Sequence, residues 1–280
     1  MIHILLPTDF SEYSWNAIKH AFMCFKDEVC TFHLFHVNRL SHLMLHDASL
    51  YMATDTLEDV YERPTKTKLN FLVKKIRKEI GINTKHKILT AFSYDFFINA
   101  IRNEIDKKQI DLIVMGTKGA SGLKKYTIGS NTGDVIVKVK CTTLVVPEEA
   151  KCRTIKQIVF PTDFSTHYSI DTLKPLLQLA YKTNASIRIL HSGNSESEMT
   201  RTQRINKDLI EDIFAELDIS FHFLSDTSIE NGLQCFVESR DIDLITMVAK
   251  NLNFFQQILF QTKTEKVSYQ TKIPFLVLHE

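Results

Sequence analysis

The chain contains an internal repeat, and this repeat constrains its fold more strongly than any other feature. Residues 6–11, Leu-Pro-Thr-Asp-Phe-Ser, return at residues 160–165 as Phe-Pro-Thr-Asp-Phe-Ser. Three more pairs follow in the same order: Phe35-His36 with Leu190-His191, Asp111–Met115 with Asp243–Met247, and Thr143–Val146 with Phe275–Leu278. A repeat of this length is a whole domain rather than the short unit of a solenoid. We therefore predict two copies of one domain, at residues 1–149 and 150–280, joined by a short polar linker.

Strand and helix patterns alternate within each copy. In the first copy, short apolar runs predict the strands Ile2–Leu6, Thr31–Val37, Lys87–Phe92, Asp111–Met115 and Thr143–Val146. Helical spacing of apolar residues predicts Ser14–Phe25, Leu57–Ile80 with Pro64 at its start or at a break, Phe96–Lys107 and Gly129–Lys140. Strands separated by helices predict an α/β fold, in which right-handed crossovers build a parallel sheet with helices on both faces.

Three polar or glycine-rich segments lie at the ends of these predicted strands. Pro7-Thr8-Asp9 follows the first strand, Val37 ends the second, and Gly116 follows the fourth. In parallel α/β sheets, ligands bind beyond the carboxyl ends of the strands, at the topological switch point. The three segments therefore predict one binding site at that edge of the sheet.

Residues 116–130 have the spacing Gly-x2-Gly-x9-Gly-Ser between a predicted strand and a predicted helix. Gly116 and Gly119 allow a ligand to approach the backbone, and a glycine after a strand can adopt a positive φ. Gly129-Ser130 opens the helix, whose unpaired amides and dipole favour an anion such as phosphate. Ser130 can cap the helix or donate its hydroxyl to a phosphate oxygen. An ordinary glycine-rich turn with a serine cap is the alternative.

These motifs together resemble the universal stress protein family. The resemblance rests on the Pro-Thr-Asp-Phe-Ser start, the stretch Asp-Leu-Ile-Val-Met-Gly-Thr-Lys-Gly, the glycine spacing and the Leu-Val-Val end, and it covers nearly the whole chain as a tandem pair. It implies two adenine-nucleotide α-hydrolase-like domains, each a five-stranded parallel sheet with helices on both faces. It also implies a regulatory protein of the stress response that binds ATP, with a divalent ion such as Mg²⁺ or Mn²⁺, and domains that pair through their last strands.

By position, the resemblance assigns ten residues to the ATP site: Pro7, Thr8, Asp9, Val37, Met115, Gly116, Gly119, Gly129, Ser130 and Asn131. The first three would line the adenosine end, where Asp9 would accept from the ribose or the adenine. The backbone of Val37 would face the adenine, and Met115 with Gly116 would flank the ribose and phosphates. The last four would hold the phosphates. Asn131 departs from the apolar residue common there, but its backbone amide is unaffected.

The second copy has lost the glycines of this loop. Counting from the matched strands, Val248 stands for Gly116, Asn251 for Gly119, and Gln261-Thr262 for Gly129-Ser130. Three side chains would then project where phosphate should lie. We therefore expect ATP in the first copy only, although the second copy keeps Pro161-Thr162-Asp163.

Composition and missing motifs argue against several other classes. The formal net charge is +1 and no apolar run could span a bilayer, so neither nucleic acid nor a membrane is an expected partner. The start of the chain lacks an export leader, and five cysteines without a Cys-x-x-Cys pair predict reduced thiols in a cytoplasmic protein. The sequence has no P-loop and no Gly-x-Gly-x-x-Gly dinucleotide motif.

Asp9 and Asp163 have a structural interpretation as well, as turn residues whose following serines, Ser11 and Ser165, cap the next helices. No general base or water-positioning residue is obvious beside the loop, so no catalytic residue is assigned. Slow ATP hydrolysis is the most we expect. The alternatives are a slow ATPase, and an interaction protein whose pocket is empty or holds another ligand. The terminal strands of the two copies would pair within the chain, as a pseudo-dimer, or between chains in a homodimer.

Several remaining features have no assigned ligand. His42, His46 and Asp47 have metal-ligand spacing for one helix face, but a solvated segment is favoured and no metal ligand is assigned. Residues 39–65 are predicted to be a helical insertion on the core of the first copy, with a pocket cover or a partner surface as alternatives. Phe254, Phe255 and Phe260 are predicted to pack in a core or an interface.

Overall fold

The computed structural model describes residues 1–38, 62–81, 83–117, 130–193, 195–225, 229–249 and 272–280. The described residues form two compact units, of which the first lies within residues 1–141 and the second within residues 142–280. Each sequence copy contributes five strands to the described structure. The α/β fold with a mostly parallel sheet, predicted from the sequence, is confirmed.

The first unit is a parallel sheet in the strand order β3-β2-β1-β4. Its strands are β1 (Ile2–Pro7), β2 (Cys30–Asn38), β3 (His86–Tyr94) and β4 (Leu112–Gly116). Its helices are α1 (Glu12–Cys24), α2 (Arg63–Glu79), α3 (Phe97–Lys108) and α4 (Ser130–Lys138). β1 lies in the interior of this sheet, because Ile4 pairs with Phe32 of β2 on one side and with Leu112 of β4 on the other.

The helix boundaries follow local signals in the sequence. Pro64 lies in the first turn of α2, where its missing N–H leaves no bond within the helix unmade. Gly81 follows the end of α2 with a φ of +82°, and its N–H donates to the carbonyl of Ile76 at 3.1 Å. This left-handed glycine is the predicted helix terminator.

Apolar side chains on one face of the first sheet pack against α3 and α4. The residues of this cluster include Leu5, Phe35, Ile113, Met115 and Val135, all of which are buried. Burying a side chain of this size stabilises the fold by roughly 1.5–3 kcal/mol. The cluster therefore fixes β1, β2 and β4 against the helices just before these strands reach their carboxyl ends.

The second unit has the strand order β5-β10-β9-β6-β7-β8. Its strands are β5 (Thr143–Val146), β6 (Gln157–Thr162), β7 (Ser186–Ser192), β8 (Ile219–Leu224), β9 (Leu244–Val248) and β10 (Phe275–Leu278). Its helices are α5 (Ile170–Thr183), α6 (Arg201–Ile213) and α7 (Ile229–Ser239). None of the helices in the described ranges of either unit is long and apolar enough to cross a membrane.

The ladder between β5 and β10 is antiparallel, with Leu144 opposite Leu276. The last strand of the first sequence copy thus pairs with the last strand of the second copy, inside the second unit. Of the two pairings that the sequence left open, the one within a single chain is present. The sequence boundary between residues 149 and 150 stays a prediction about the repeat.

The two serines predicted to cap helices behave differently. Ser11 caps α1, since its side-chain oxygen accepts from the N–H of Ser14 at 3.3 Å. The prediction for Ser165 is wrong, because α5 begins only at Ile170 and Ser169 is its cap. Ser165 instead donates its hydroxyl to Asp163 at 2.8 Å. The second copy has a longer connection before its first helix, which the shared motif does not reveal.

His33 on β2 is buried and lies against a second histidine. Its Nε2 is 3.2 Å from Nδ1 of His3 on β1. The pKa of His33 is lowered to about 4, chiefly by burial and then by the positive charges of His3, Lys108 and Lys87 in that order. The folded protein therefore holds this imidazole in its neutral form well below the pH at which an unfolded histidine gains a proton.

We expect the free energy of unfolding to fall as the pH falls from about 6.5 to about 4. The unfolded chain binds a proton at His33 in this range and the folded chain does not, so the stability is fully present above the range and is lost within it. Urea unfolding of the wild type and His33→Gln at several pH values would test this. The difference between the two proteins should shrink on acidification, and two parallel curves would contradict the prediction.

Candidate functional site

The structure brings the described members of the predicted site to one edge of the first sheet. β1 runs parallel to both neighbours, with Pro7 opposite Phe35 of β2 and Leu5 opposite Ile113 of β4. The chain leaves all three strands at their carboxyl ends, so the segments after β1, β2 and β4 emerge at the same edge. This is the edge at which parallel α/β sheets bind ligands.

The segment after β1 is a tight, strained turn. Thr8 is 6% exposed, and its N–H donates to the carbonyl of Phe35 at 2.9 Å. The Thr8 hydroxyl accepts from the N–H of Phe10 at 3.1 Å and lies 3.0 Å from the hydroxyl of Ser14. Phe10 has a φ of +64°, a left-handed conformation that costs a residue with a Cβ about 1–2 kcal/mol. The surrounding hydrogen bonds hold the turn in this conformation.

Asp9 is exposed at the tip of this turn. Its Oδ1 accepts the N–H of Ser11 at 3.1 Å and the hydroxyl of Ser11 at 2.6 Å. The turn role predicted for Asp9 is therefore present, because its carboxylate orients the serine that caps α1. The same carboxylate faces solvent at the edge of the sheet.

The end of β2 is tied to the turn by a histidine. Val37 is half-buried there, and the preceding His36 donates from Nδ1 to the carbonyl of Thr8 at 2.7 Å. The His36 ring also packs on Phe10, with the ring centroids 4.6 Å apart. Burial lowers the pKa of His36, against the opposite effect of its bond to Thr8. A carbonyl only accepts, so the neutral ring carries its proton on Nδ1.

Gly116 is the last residue of β4 and is buried. Its carbonyl accepts the hydroxyl of Thr132 at 2.8 Å, and this bond joins the strand end to the first turn of α4. The left-handed backbone considered for Gly116 is not adopted, because the residue stays in the strand. Its lack of a side chain therefore matters for close approach alone. Met115 packs in the core, so only its backbone is available at this edge.

α4 begins at Ser130, with Ser130 and Asn131 both exposed in its first turn. That turn contains no acidic side chain. Amides and a dipole without a competing carboxylate favour an anion at this position. The cap position that the sequence gave to Ser130 falls one residue earlier, outside the described residues.

Several predicted residues lie outside the described ranges. In the first copy these are Gly119, Gly129, His42, His46, Asp47 and most of the 39–65 insertion. In the second copy they are Asn251, Gln261, Thr262, Phe254, Phe255 and Phe260. Within the described ranges, no group of three or more histidine, cysteine, aspartate or glutamate side chains is placed to hold a metal ion.

The second unit repeats the turn of the first with small changes. The Thr162 hydroxyl accepts from the N–H of Phe164 at 3.0 Å, and Phe164 has a φ of +53°. Nδ1 of His191 is 3.0 Å from the carbonyl of Thr162. Val248 ends β9 as Gly116 ends β4, and its side chain is buried. A buried valine thus occupies the position that Gly116 has in the first unit.

Two side chains of helix α6 hydrogen-bond the backbone of this second turn. The side-chain amide of Gln203 donates to the carbonyl of Asp163, and that of Asn206 donates to the carbonyl of Phe164, both at 2.8 Å. Phe164 is fully buried, whereas its counterpart Phe10 is partly exposed. In the described part of the second edge, side chains of α6 therefore hold the turn.

The sequence motifs did not predict the contacts of four residues that shape these two edges: His36, Thr132, Gln203 and Asn206. His36 carried a signal, because the repeat returns it as His191. The other three are ordinary polar residues on helices, and no spacing rule identifies the carbonyl that each one contacts.

Comparison with known proteins agrees with the fold and with the first-copy motifs. The sequence model of the universal stress protein family matches residues 1–147. A universal stress protein of Methanocaldococcus jannaschii is 32% identical over 151 residues, which cover 53% of this chain and 83% of that protein.

Two solved structures are similar over nearly the whole chain. A universal stress protein from Archaeoglobus fulgidus matches with a TM-score of 0.65 at 19% identity, over 98% of this chain and 95% of that one. A functionally unknown protein from Pseudomonas aeruginosa matches with a TM-score of 0.60 at 13% identity, over 99% and 92%. At such low identity, these structures establish a likeness of fold and nothing finer.

Proposed function

The chain belongs to the universal stress protein family, and on that premise we propose that its first unit binds one molecule of ATP while its second unit binds none. The protein would act in the cytoplasm as a regulator of the stress response, with nucleotide occupancy setting its conformation or its choice of protein partner. The observation that carries the proposal is the contrast between Gly116 at the end of β4 and the buried Val248 at the end of β9.

The described residues of the first edge fit a nucleotide. At the adenosine end, Asp9 offers an exposed carboxylate and Val37 offers its backbone. At the phosphate end, Gly116 has no side chain to block approach, and the first turn of α4 presents Ser130 and Asn131 without an acidic neighbour. The predicted partners Gly119 and Gly129 would complete the phosphate contacts.

Each group has a separate task in this proposal. The carboxylate of Asp9 accepts hydrogen bonds from the hydroxyls of the ribose or from the amine of the adenine. These donors are neutral, so Asp9 stays ionised when it accepts from them. The amides and dipole at the start of α4 stabilise the negative phosphates. ATP supplies its own chelating oxygens for Mg²⁺ or Mn²⁺, so a divalent ion would bind with the nucleotide rather than at a separate protein site.

The proposal contains no catalytic residue. Asp9 and His36 both make hydrogen bonds within the turn, and Lys68 of α2 lies over the ring of Phe10, 5.7 Å from its centroid. Release of inorganic phosphate from ATP by the purified protein, above the rate in buffer, would favour the slow ATPase that the sequence left as an alternative. A homodimer in solution is likewise open to test by light scattering.

The test is the stoichiometry of nucleotide in the intact chain. We expect native mass spectrometry of the purified protein to show one ATP or ADP per chain. Calorimetry with ATP and Mg²⁺ should then give about one site per chain after the nucleotide is removed. Two sites per chain would contradict the assignment to the first unit alone. No bound nucleotide by either method would favour the interaction protein with an empty pocket.

A further inference from the structure

We propose that His36 is a positioning residue of the ATP site, acting through the carbonyl of Thr8 and without touching the nucleotide. The inference rests on the proposed function, because it concerns the residues that would line the adenosine end. His36 stands between the two segments assigned to that end, Pro7–Asp9 and Val37. No motif of the sequence assigned it a role in binding.

Two hydrogen bonds link the end of β1 to the end of β2. The backbone of Thr8 is held on both sides, since its N–H donates to the carbonyl of Phe35 at 2.9 Å and its carbonyl accepts from His36 at 2.7 Å. Residues 35 and 36 are neighbours on β2. Two consecutive residues of β2 therefore set the distance between the end of β1 and the backbone of Val37.

The turn after β1 is strained, and His36 supports it. Phe10 keeps a left-handed backbone, and the His36 ring packs on its side chain with 4.6 Å between centroids. A strained turn returns to a relaxed conformation when its supports are removed. Asp9 lies between Thr8 and Phe10, so the two contacts of His36 hold both neighbours of the carboxylate that would meet the ribose or adenine.

The surroundings of His36 differ from those of its counterpart His191 in the second unit. In the first unit, Asn38 follows two residues after His36, and its side-chain oxygen accepts the hydroxyl of Thr65 on α2 at 3.2 Å. In the second unit Gly193 takes the place of Asn38, and a Cβ added there would lie 2.8 Å from Nε2 of His191. In the second unit, the backbone at Gly193 therefore lies against the ring of His191, at the position where the first unit has the side chain of Asn38.

The consequence for binding is preorganisation. A site already held in its bound geometry avoids the ordering that would otherwise oppose binding. Removing the Nδ1 donor should leave the fold intact, because β1 and β2 stay paired along their length. It should release the turn that carries Asp9, and ATP should bind more weakly.

The experiment compares three variants by calorimetry with ATP and Mg²⁺, together with thermal unfolding. His36→Phe keeps an aromatic ring but removes the donor, and we expect ATP to bind about tenfold more weakly, the order expected for one lost hydrogen bond. His36→Asn places an amide N–H near the position of Nδ1, and we expect it to bind within about threefold of the wild type. His191→Phe removes the equivalent bond in the second unit and should leave ATP affinity unchanged.

The outcomes separate the two proposals. If the wild type binds ATP and His36→Phe binds it equally well, the positioning role is wrong and the proposed function stands. If His36→Asn, which restores a donor but not the ring, binds ATP no better than His36→Phe, the bond to the Thr8 carbonyl does not position the site, and the proposal is again overturned. If the wild type binds no nucleotide, the proposed function fails and the positioning role fails with it.

Discussion

Gly116→Val should abolish ATP binding while leaving the protein folded. Gly116 lies in the last position of a β-strand, where valine is well tolerated, so the backbone has no reason to change. In the proposed site, the added methyl groups would stand where the phosphates and ribose are expected to approach the strand end. We expect a loss of affinity of at least about a hundredfold, which corresponds to roughly 2.7 kcal/mol or more. Calorimetry with ATP and Mg²⁺ measures the loss, and circular dichroism verifies the fold.

The repeat supplies the control for this variant. Val248→Gly makes the reverse exchange at the end of β9, where the valine is 6% exposed. It should lower the stability of the second unit, since a buried side chain is lost and glycine is entropically unfavourable in a strand. ATP affinity and a stoichiometry of about one should not change. Unaltered ATP binding by Gly116→Val would refute the close approach on which the proposed site depends.

Asp243→Ala should be one of the most destabilising single changes in the second unit. Asp243 is 8% exposed, and its Oδ2 accepts the N–H groups of Lys156 at 2.8 Å and Gln157 at 2.9 Å. Its Oδ1 lies 2.6 Å from Nε of Arg153. Removing the carboxylate leaves the two amides without their acceptor, whereas the half-exposed Arg153 keeps the carbonyl of Ile242 at 2.8 Å, and we expect a loss of about 2–4 kcal/mol in the free energy of unfolding.

Asp111→Ala is the matched control, because the repeat places Asp111 where the second copy has Asp243. Asp111 is exposed, and its Oδ2 accepts the N–H of His3 at 2.8 Å. We expect a loss of about 1 kcal/mol. Urea unfolding gives both values, and hydrogen exchange at the amides of Lys156 and Gln157 localises the larger one. Equal losses in the two variants would show that burial and the additional partners of Asp243 contribute nothing.

The alternation of strands and helices was sufficient to predict the α/β class and a mostly parallel sheet. Apolar runs at β1, β2 and β4 identify strands because a buried parallel strand must be apolar on both faces. Pro64 and Gly81 mark the ends of α2 because each residue restricts or permits a particular backbone angle. Such signals are local, so one sequence is enough to find them.

The interactions that shape the two edges were not predictable in the same way. Whether Thr132 reaches the carbonyl of Gly116, or Asn206 that of Phe164, depends on how a helix packs over a strand end far away in the sequence. The error at Ser165 has a related origin, since an identical motif is followed by a connection of different length before α5. Shared residues fix the turn, and the tertiary packing determines what the turn contacts.

Because β5 pairs with β10, the two sequence copies are not structurally independent of each other. A fragment cut at the repeat boundary would carry away β5, and β10 would be left with an unpaired edge whose four residues are all buried in the intact chain. An apolar edge of this kind invites other chains to add to it. The two sequence copies are thus held together by a strand pairing as well as by their linker.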